Sequence, residues 1–330
     1  MDNAARLERY VELAVYFSDA TSIPLKLFFL YIVIFYTPKR LRRVSLFIIN
    51  EMVWNFLANI LYCFAIFIPV LPAQCCIFND MSGWFVFLGA EFAGHFFCKL
   101  LFLLIVQCAV SIVLSFHFRY LVICHSQWIK NINSVWGYVY GIGLHLVFSV
   151  FLLYTGQQFE ISLEDYPNQN DLPGQKKLFC YHPYGSRKTV FVVGLFGMFL
   201  AFIILVLIPI ILSFLHLKRQ ERTVQARTAN MQRKILWNLI KLAMVPVFMG
   251  FFPVLLGAFS LYFTYVNGTN EIISISMVVM LNHGTVYGIV TFCVFPEYRK
   301  AVKQILGRLV YKITGSSASK VYFVKVKPTF

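Results

Sequence analysis

Charge is scarce in this chain. Only 13% of its 330 residues are Asp, Glu, Lys or Arg, against 59% hydrophobic residues, whereas an ordinary soluble domain carries about 25% charged residues. Too little polar surface is available to cover a water-soluble fold. Acidic groups are scarcer still, with 14 Asp and Glu against 29 Lys and Arg. The net charge of +15 would suit nucleic acid, but the basic residues cluster in short segments beside long apolar runs, which is a pattern of membrane topology. No CxxC pair occurs among the eight cysteines, so neither a zinc site nor a disulfide scaffold is indicated. Phosphate-cradling Gly loops, GxSxG and HExxH are missing too, and the seven histidines are scattered. Enzyme activity, a metal and a bound cofactor are accordingly not expected.

What the chain does have is apolar runs of membrane-crossing length, about 20 residues each. Seven spans are expected, at Ala14–Tyr36, Val44–Val70, Trp84–Phe116, Val135–Thr155, Thr189–Leu215, Ile235–Val266 and Ile272–Phe295. The fold class is therefore an all-α membrane bundle. It divides into a short N-terminal segment (1–13), the bundle (14–295) and a tail (296–330), with the first span acting as an uncleaved anchor. Pro209, Pro246 and Pro253 are expected to kink the fifth and sixth spans. Between the spans, 20 Lys and Arg fall on one side and six on the other. The rule that basic loops stay inside places the N-terminus outside and the tail in the cytoplasm. One glycosylation sequon, at Asn267, falls in the last outer loop, although its closeness to the membrane argues against its use.

Ionisable residues within spans need partners or water. Glu91, His95 and Lys99 recur every four residues on one face of span three, where they either contact a ligand or fix packing. Asn282 and His283 fall near the middle of span seven, suited to a deeper pocket role or to interhelical hydrogen bonds. Asn55, Asn59 and Tyr62 share a face of span two, and Gly137 and Gly141 make a small-residue surface on span four; both read as packing. Past span seven, apolar residues from Tyr298 to Ile313 repeat at helical spacing with Arg299, Lys300, Lys303, Arg308 and Lys312 around them, an amphipathic helix suited to anionic lipid. In the outer loops, Cys180 is expected to bond Cys75 or Cys76, with Cys98 as a rival partner.

Several of these residues carry a resemblance. Pro24 with Thr37-Pro38-Lys39, Gln232-Arg233-Lys234 ahead of Pro246 and Pro253, and His283-Gly284 followed by Pro296-Glu297-Tyr298-Arg299 stand in the order and at the depths that resemble the nematode serpentine chemoreceptors, classes H and I. The match covers most of the chain. It implies a bundle of the G-protein-coupled receptor type in the plasma membrane of chemosensory neurons and their cilia, taking a small-molecule ligand (odorant, tastant or pheromone) from outside. A heterotrimeric G protein would then meet Arg119, Tyr120, Lys218, Arg219, Arg233 and Lys234. Two features depart from related receptors: His117 stands where an acidic residue often precedes the span-three arginine, and span seven lacks Asn-Pro-x-x-Tyr. A ligand-gated channel or a transporter would also bury polar residues, but no internal repeat or shared polar stripe favours either.

Overall fold

The computed structural model describes residues 3–80, 83, 86–131, 133–167, 169, 172, 177–220, 226–264 and 266–314. Among them, seven helical stretches are long and apolar enough to cross a membrane. Helices suit such runs because each backbone N–H and C=O is satisfied within its own segment.

Helix α1 (Asn3–Phe35) starts well before the expected first span, so the described part of the N-terminal segment is helical and not a separate tail. It ends ahead of Thr37-Pro38, where the residue before a proline disfavours helix. Helix α2 (Arg42–Phe64) is shorter than the span drawn to Val70. The last six residues instead form strand β1 (Ala65–Val70), antiparallel to β2 (Cys75–Asp80). Hydropathy alone does not separate a buried β-branched and aromatic run from the end of a helix. Helix α3 (Ala90–Cys124) begins after Gly89, whose φ of +77° suits glycine, and it extends past Phe116. Arg119 and Tyr120 therefore lie within the helix, not beyond its end. Trp84, drawn as the start of that span, lies outside the described residues.

A short helix α4 (Ser126–Asn131) leads to α5 (Ser134–Phe159), whose first turn is capped by Asn133 accepting from the Val135 N–H at 3.1 Å. The long connection to α6 (Ser186–Gln220) contributes β3 (Glu160–Ile161) and β4 (Leu178–Tyr181). The sixth crossing is broken into α7 (Ala226–Pro246), a π turn (Val247–Phe251) and α8 (Phe252–Tyr262). Helix α9 (Thr269–Val294) completes the bundle, and α10 (Pro296–Thr314) follows it. Asp171, Lys176, Glu221, Arg222 and the tail lysines beyond Thr314 lie outside the described residues.

Helix α3 is the central post, packed against α2, α5, α6 and α7, while α9 lies against α1, α2, α7 and α8. The four strands form one sheet in the order β1-β2-β4-β3 at the end of the bundle where α3 begins. Gly94 fits this sheet to α3, since a Cβ there would stand 2.2 Å from the Phe179 ring. At the opposite, basic end, α10 is tied back to the bundle by Tyr298, buried and 2.9 Å from Thr37 through their hydroxyls.

Candidate functional site

The sheet roofs a cavity of about 120 Å³ between α3, α5, α6, α8 and α9. Its walls are overwhelmingly apolar, with Phe102 from α3, Leu152 from α5, Leu195 from α6, Val254 from α8 and Met277 and Met280 from α9. Phe159 closes one side, stacked on Tyr181 at 4.7 Å and on Phe191 at 4.4 Å between ring centroids. The roof is held covalently by a Cys75–Cys180 disulfide between directly paired residues of β2 and β4. Cys76, one residue on, stands on the other face of the pleat and lines the cavity as a free thiol.

One ion pair marks the polar corner of this chamber. Lys99 Nζ lies 3.0 Å from each carboxylate oxygen of Glu160, and 3.3 Å from Gln157 Oε1. His95 Nδ1 approaches Glu160 at 3.7 Å while its ring meets Phe179 and Tyr181 edge-on. Burial raises the Glu160 carboxyl above the ordinary carboxylate range, and Lys99 opposes that shift. The neighbouring Tyr181 hydroxyl is raised strongly, chiefly by burial. Glu91 takes no part in the pair; its carboxylate accepts from the Leu163 N–H at 2.9 Å and pins the connection to α6. The face shared by Glu91, His95 and Lys99 therefore sits in the first three turns of α3, against the sheet.

A second polar cluster lies deeper. His283 is buried, hydrogen-bonded to Asn55 at 2.9 Å and 3.4 Å from Glu51. Asn59 donates to Asp19 at 2.7 Å and accepts from Lys26, whose ammonium also reaches the Leu281 carbonyl at 3.1 Å. Asn55, Asn59 and His283 border a small cavity of about 30 Å³, room for about one water. Gly284 makes this approach possible, because a Cβ there would fall 1.7 Å from Asn55 Oδ1. Asn282 is directed elsewhere, donating to Val278 O of its own helix. Of the five residues singled out from sequence, Lys99 lines the chamber, His95 backs its ion pair, and His283 belongs to the deeper cluster. Glu91 and Asn282 are absent from the lining of both cavities. Asp19, Lys26 and Glu51 were legible as charges within apolar spans; Glu160 and Gln74, which also line or border the chamber, carried no such signal.

At the basic end Arg119 is buried, with its guanidinium donating to Gln232 Oε1 on α7 at 3.3 Å. His117 does not pair with it but meets Tyr140 of α5 and Leu205 O of α6. Tyr120 bonds His125 at 3.2 Å, Lys218 and Arg219 close the last turn of α6, and Arg233 and Lys234 sit on α7. Asn267 lies in the turn before α9. Among the described residues, no three His, Cys, Asp or Glu side chains gather as a metal site would require.

An apolar seven-helix bundle with a roofed chamber at one end and a buried arginine contact at the other has the build of a multi-pass membrane receptor. The sequence model of the family described as serpentine type 7TM GPCR chemoreceptor Srh matches residues 7–308, and the chain belongs to that family. Of the two classes that the sequence resembles, this agrees with class H. No curated protein matches the chain.

Proposed function

We propose that this receptor binds a small molecule in the roofed chamber and answers by activating a heterotrimeric G protein at its basic end. The carrying observation is the chamber itself, a small, partly open apolar space with one charged corner, a lining composition usual for a small-molecule site. The charge count along the chain supports a sheet that faces outside and a basic end in the cytoplasm. The oxidised Cys75–Cys180 pair accords with an exterior roof. Family membership supports a place in the plasma membrane of chemosensory neurons and their cilia, and a receptor rather than an enzyme.

In this reading the ligand stabilises one of two helix arrangements and shifts its population. Separation of α3 from α7 would release Arg119 from Gln232 and present it, with Tyr120, Lys218, Arg219, Arg233 and Lys234, to the G protein. Helix α10 would rest its basic face on the anionic inner leaflet. The test is expression of the tagged chain in a heterologous cell, with G-protein activation and ionic current recorded together against a panel of small molecules. A G-protein response that Arg119→Ala abolishes at normal surface level is the expected result. A ligand-gated current that persists without G proteins would overturn it in favour of a channel.

A further inference from the structure

Cations set deep in a crossing need a partner, and most here have one within the protein. Lys26 reaches Asn59 and the Leu281 carbonyl, Lys99 meets Glu160, Lys188 donates to Pro183 O at 3.1 Å, and Arg119 holds Gln232. Lys241 of α7 differs. It is exposed and makes no hydrogen bond or ion pair among the described residues. Its place along the helix is about 30 Å from Tyr262, where the sixth crossing ends, at about 1.5 Å per residue. That distance matches the thickness of a hydrocarbon core, so Lys241 stands at the lipid edge toward the basic end of the bundle. A lysine facing lipid at this level bends its stem toward the headgroups, where an anion can meet it.

Its neighbours make this more than a lone charge. Trp237, one turn nearer the basic end on the same face, is exposed as well, a residue type enriched at the membrane interface. The Trp237 ring meets Phe214 of α6 at 5.4 Å between centroids. One turn nearer the basic end from Phe214 comes Lys218, likewise exposed and without a hydrogen bond or ion pair among the described residues. Helices α6 and α7 run in opposite directions, and each Cα–Cβ bond tilts toward the N-terminus of its own helix. Lys218 therefore leans toward the sheet end and Lys241 toward the basic end, so the two close on the ring pair from opposite sides. On the sheet side of the rings, Ile211 of α6 and Met244 of α7 expose apolar surface.

We infer that Lys218 and Lys241, with the Phe214–Trp237 pair between them, seat the headgroup of an anionic phospholipid, its phosphate between the two ammonium groups and its acyl chains along Ile211 and Met244. Charge decides the class of lipid. Neither lysine has an acidic partner among the described residues, and of the two acids toward this end Glu297 begins α10 while Glu221 lies outside the described residues. A zwitterionic headgroup would bring a further cation beside two that are already unneutralised, whereas phosphatidylglycerol brings the anion alone. The seat does not depend on the chamber being the ligand site. Lys218 sets the lipid at the margin of the surface proposed for the G protein.

The probe is phosphatidylglycerol with a photoactivatable acyl chain, added to the purified full-length receptor in phosphatidylcholine nanodiscs. Labelled residues are mapped by mass spectrometry, and the label is competed with plain lipids. In wild type, label is expected on α6 near Ile211 and on α7 near Met244, displaced by added phosphatidylglycerol and not by phosphatidylcholine. Lys241→Leu should weaken that displacement about fivefold, the equivalent of about 1 kcal/mol for one basic residue at an anionic surface. Lys218→Leu combined with Lys241→Leu should erase the preference for phosphatidylglycerol, while Lys241→Arg, which keeps the charge, should behave as wild type. Equal displacement by both lipids in wild type would overturn headgroup recognition. A preference that survives in the double variant, or label confined to α10, would assign the anion to other basic residues and overturn the seat. A strip that escapes label because a second copy of the chain covers it, as receptor-to-receptor crosslinks would reveal, would overturn it too. Both lysines are exposed, so these replacements leave the core untouched, and the wild-type map alone can overturn the seat if a variant fails to fold.

Discussion

Replacing Lys99 with Met removes the cation from the chamber's charged corner and leaves Glu160 to face burial alone. At 3.0 Å and an effective dielectric of about 20, the bare attraction is about 5 kcal/mol, which is a ceiling and not a net energy. The two side chains retain 25% and 14% exposure, and solvent screening lowers the cost of losing one partner to about 1–2 kcal/mol. Protonation limits it further. Burial already raises the Glu160 carboxyl above its ordinary value against the opposition of Lys99, so without Lys99 the rise is larger. A carboxyl whose folded value is raised favours the folded state as pH falls, and it penalises that state as pH climbs through the window above the ordinary carboxylate range. Lys99→Met should therefore melt a few degrees below wild type near pH 7.5 and regain most of the difference toward pH 5. Unfolding can be followed with a thiol-reactive dye, because Cys98 and Cys108 are buried free thiols. Glu160→Gln should cost less at pH 7.5 than Lys99→Met, since Lys99 keeps Gln157 as a partner. A deficit in Lys99→Met that is independent of pH, or a larger loss in Glu160→Gln, would refute this account of the corner.

Gly284→Ala should destabilise the bundle by about 1–3 kcal/mol through overlap with Asn55; the cost should shrink in an Asn55→Ala background, as a double-mutant cycle of melting temperatures would register. Cys75→Ser should release the roof and weaken binding of chamber ligands, whereas Cys76→Ser should leave the bond intact; differential alkylation with mass spectrometry reads the bond and a dose-response curve reads the binding. Gln232→Ala should raise basal G-protein signalling by loosening α3 from α7, and Gln232→Glu should lower it by giving Arg119 a charged partner about twice as strong, both measured without ligand at matched surface level.

The seven apolar runs were legible because lipid imposes a single crude requirement, length without charge. Segment ends were less so. The strand Ala65–Val70 is as apolar as the helix it follows, and what makes it a strand is its pairing with Cys75–Asp80, a long-range fact that no local window contains. The start of α3 turned on Gly89, and placing it there moves Glu91, His95 and Lys99 from mid-span to the roof. The charged face of α3 could be read from its four-residue spacing, but its partner could not: Glu160 lies 61 residues away in sequence, and Glu91, the nearer acid, is directed to Leu163 instead. Likewise the choice of Cys75 over Cys76 depends on strand register, and Gln74 has no sequence signature at all, since its side-chain bond to Leu261 O forms only where the turn and α8 meet.

The π turn at Val247–Phe251 gives the sixth crossing a particular mechanical character. None of its residues is buried, and Val247 and Phe248 face outward at 43% and 62% exposure. A hydrogen-bond register that slips by one residue there exchanges one internal bond for another, and the core contacts it disturbs are those of the half-buried Met249 and Phe251, the latter edge-on to Phe199 at 4.8 Å. Resistance to twisting is therefore lowered just beneath the chamber, whose lining resumes at Pro253, and well above the Arg119 contact at Gln232, so a small rotation of α8 can proceed without at once dragging the packed face of α7 with it.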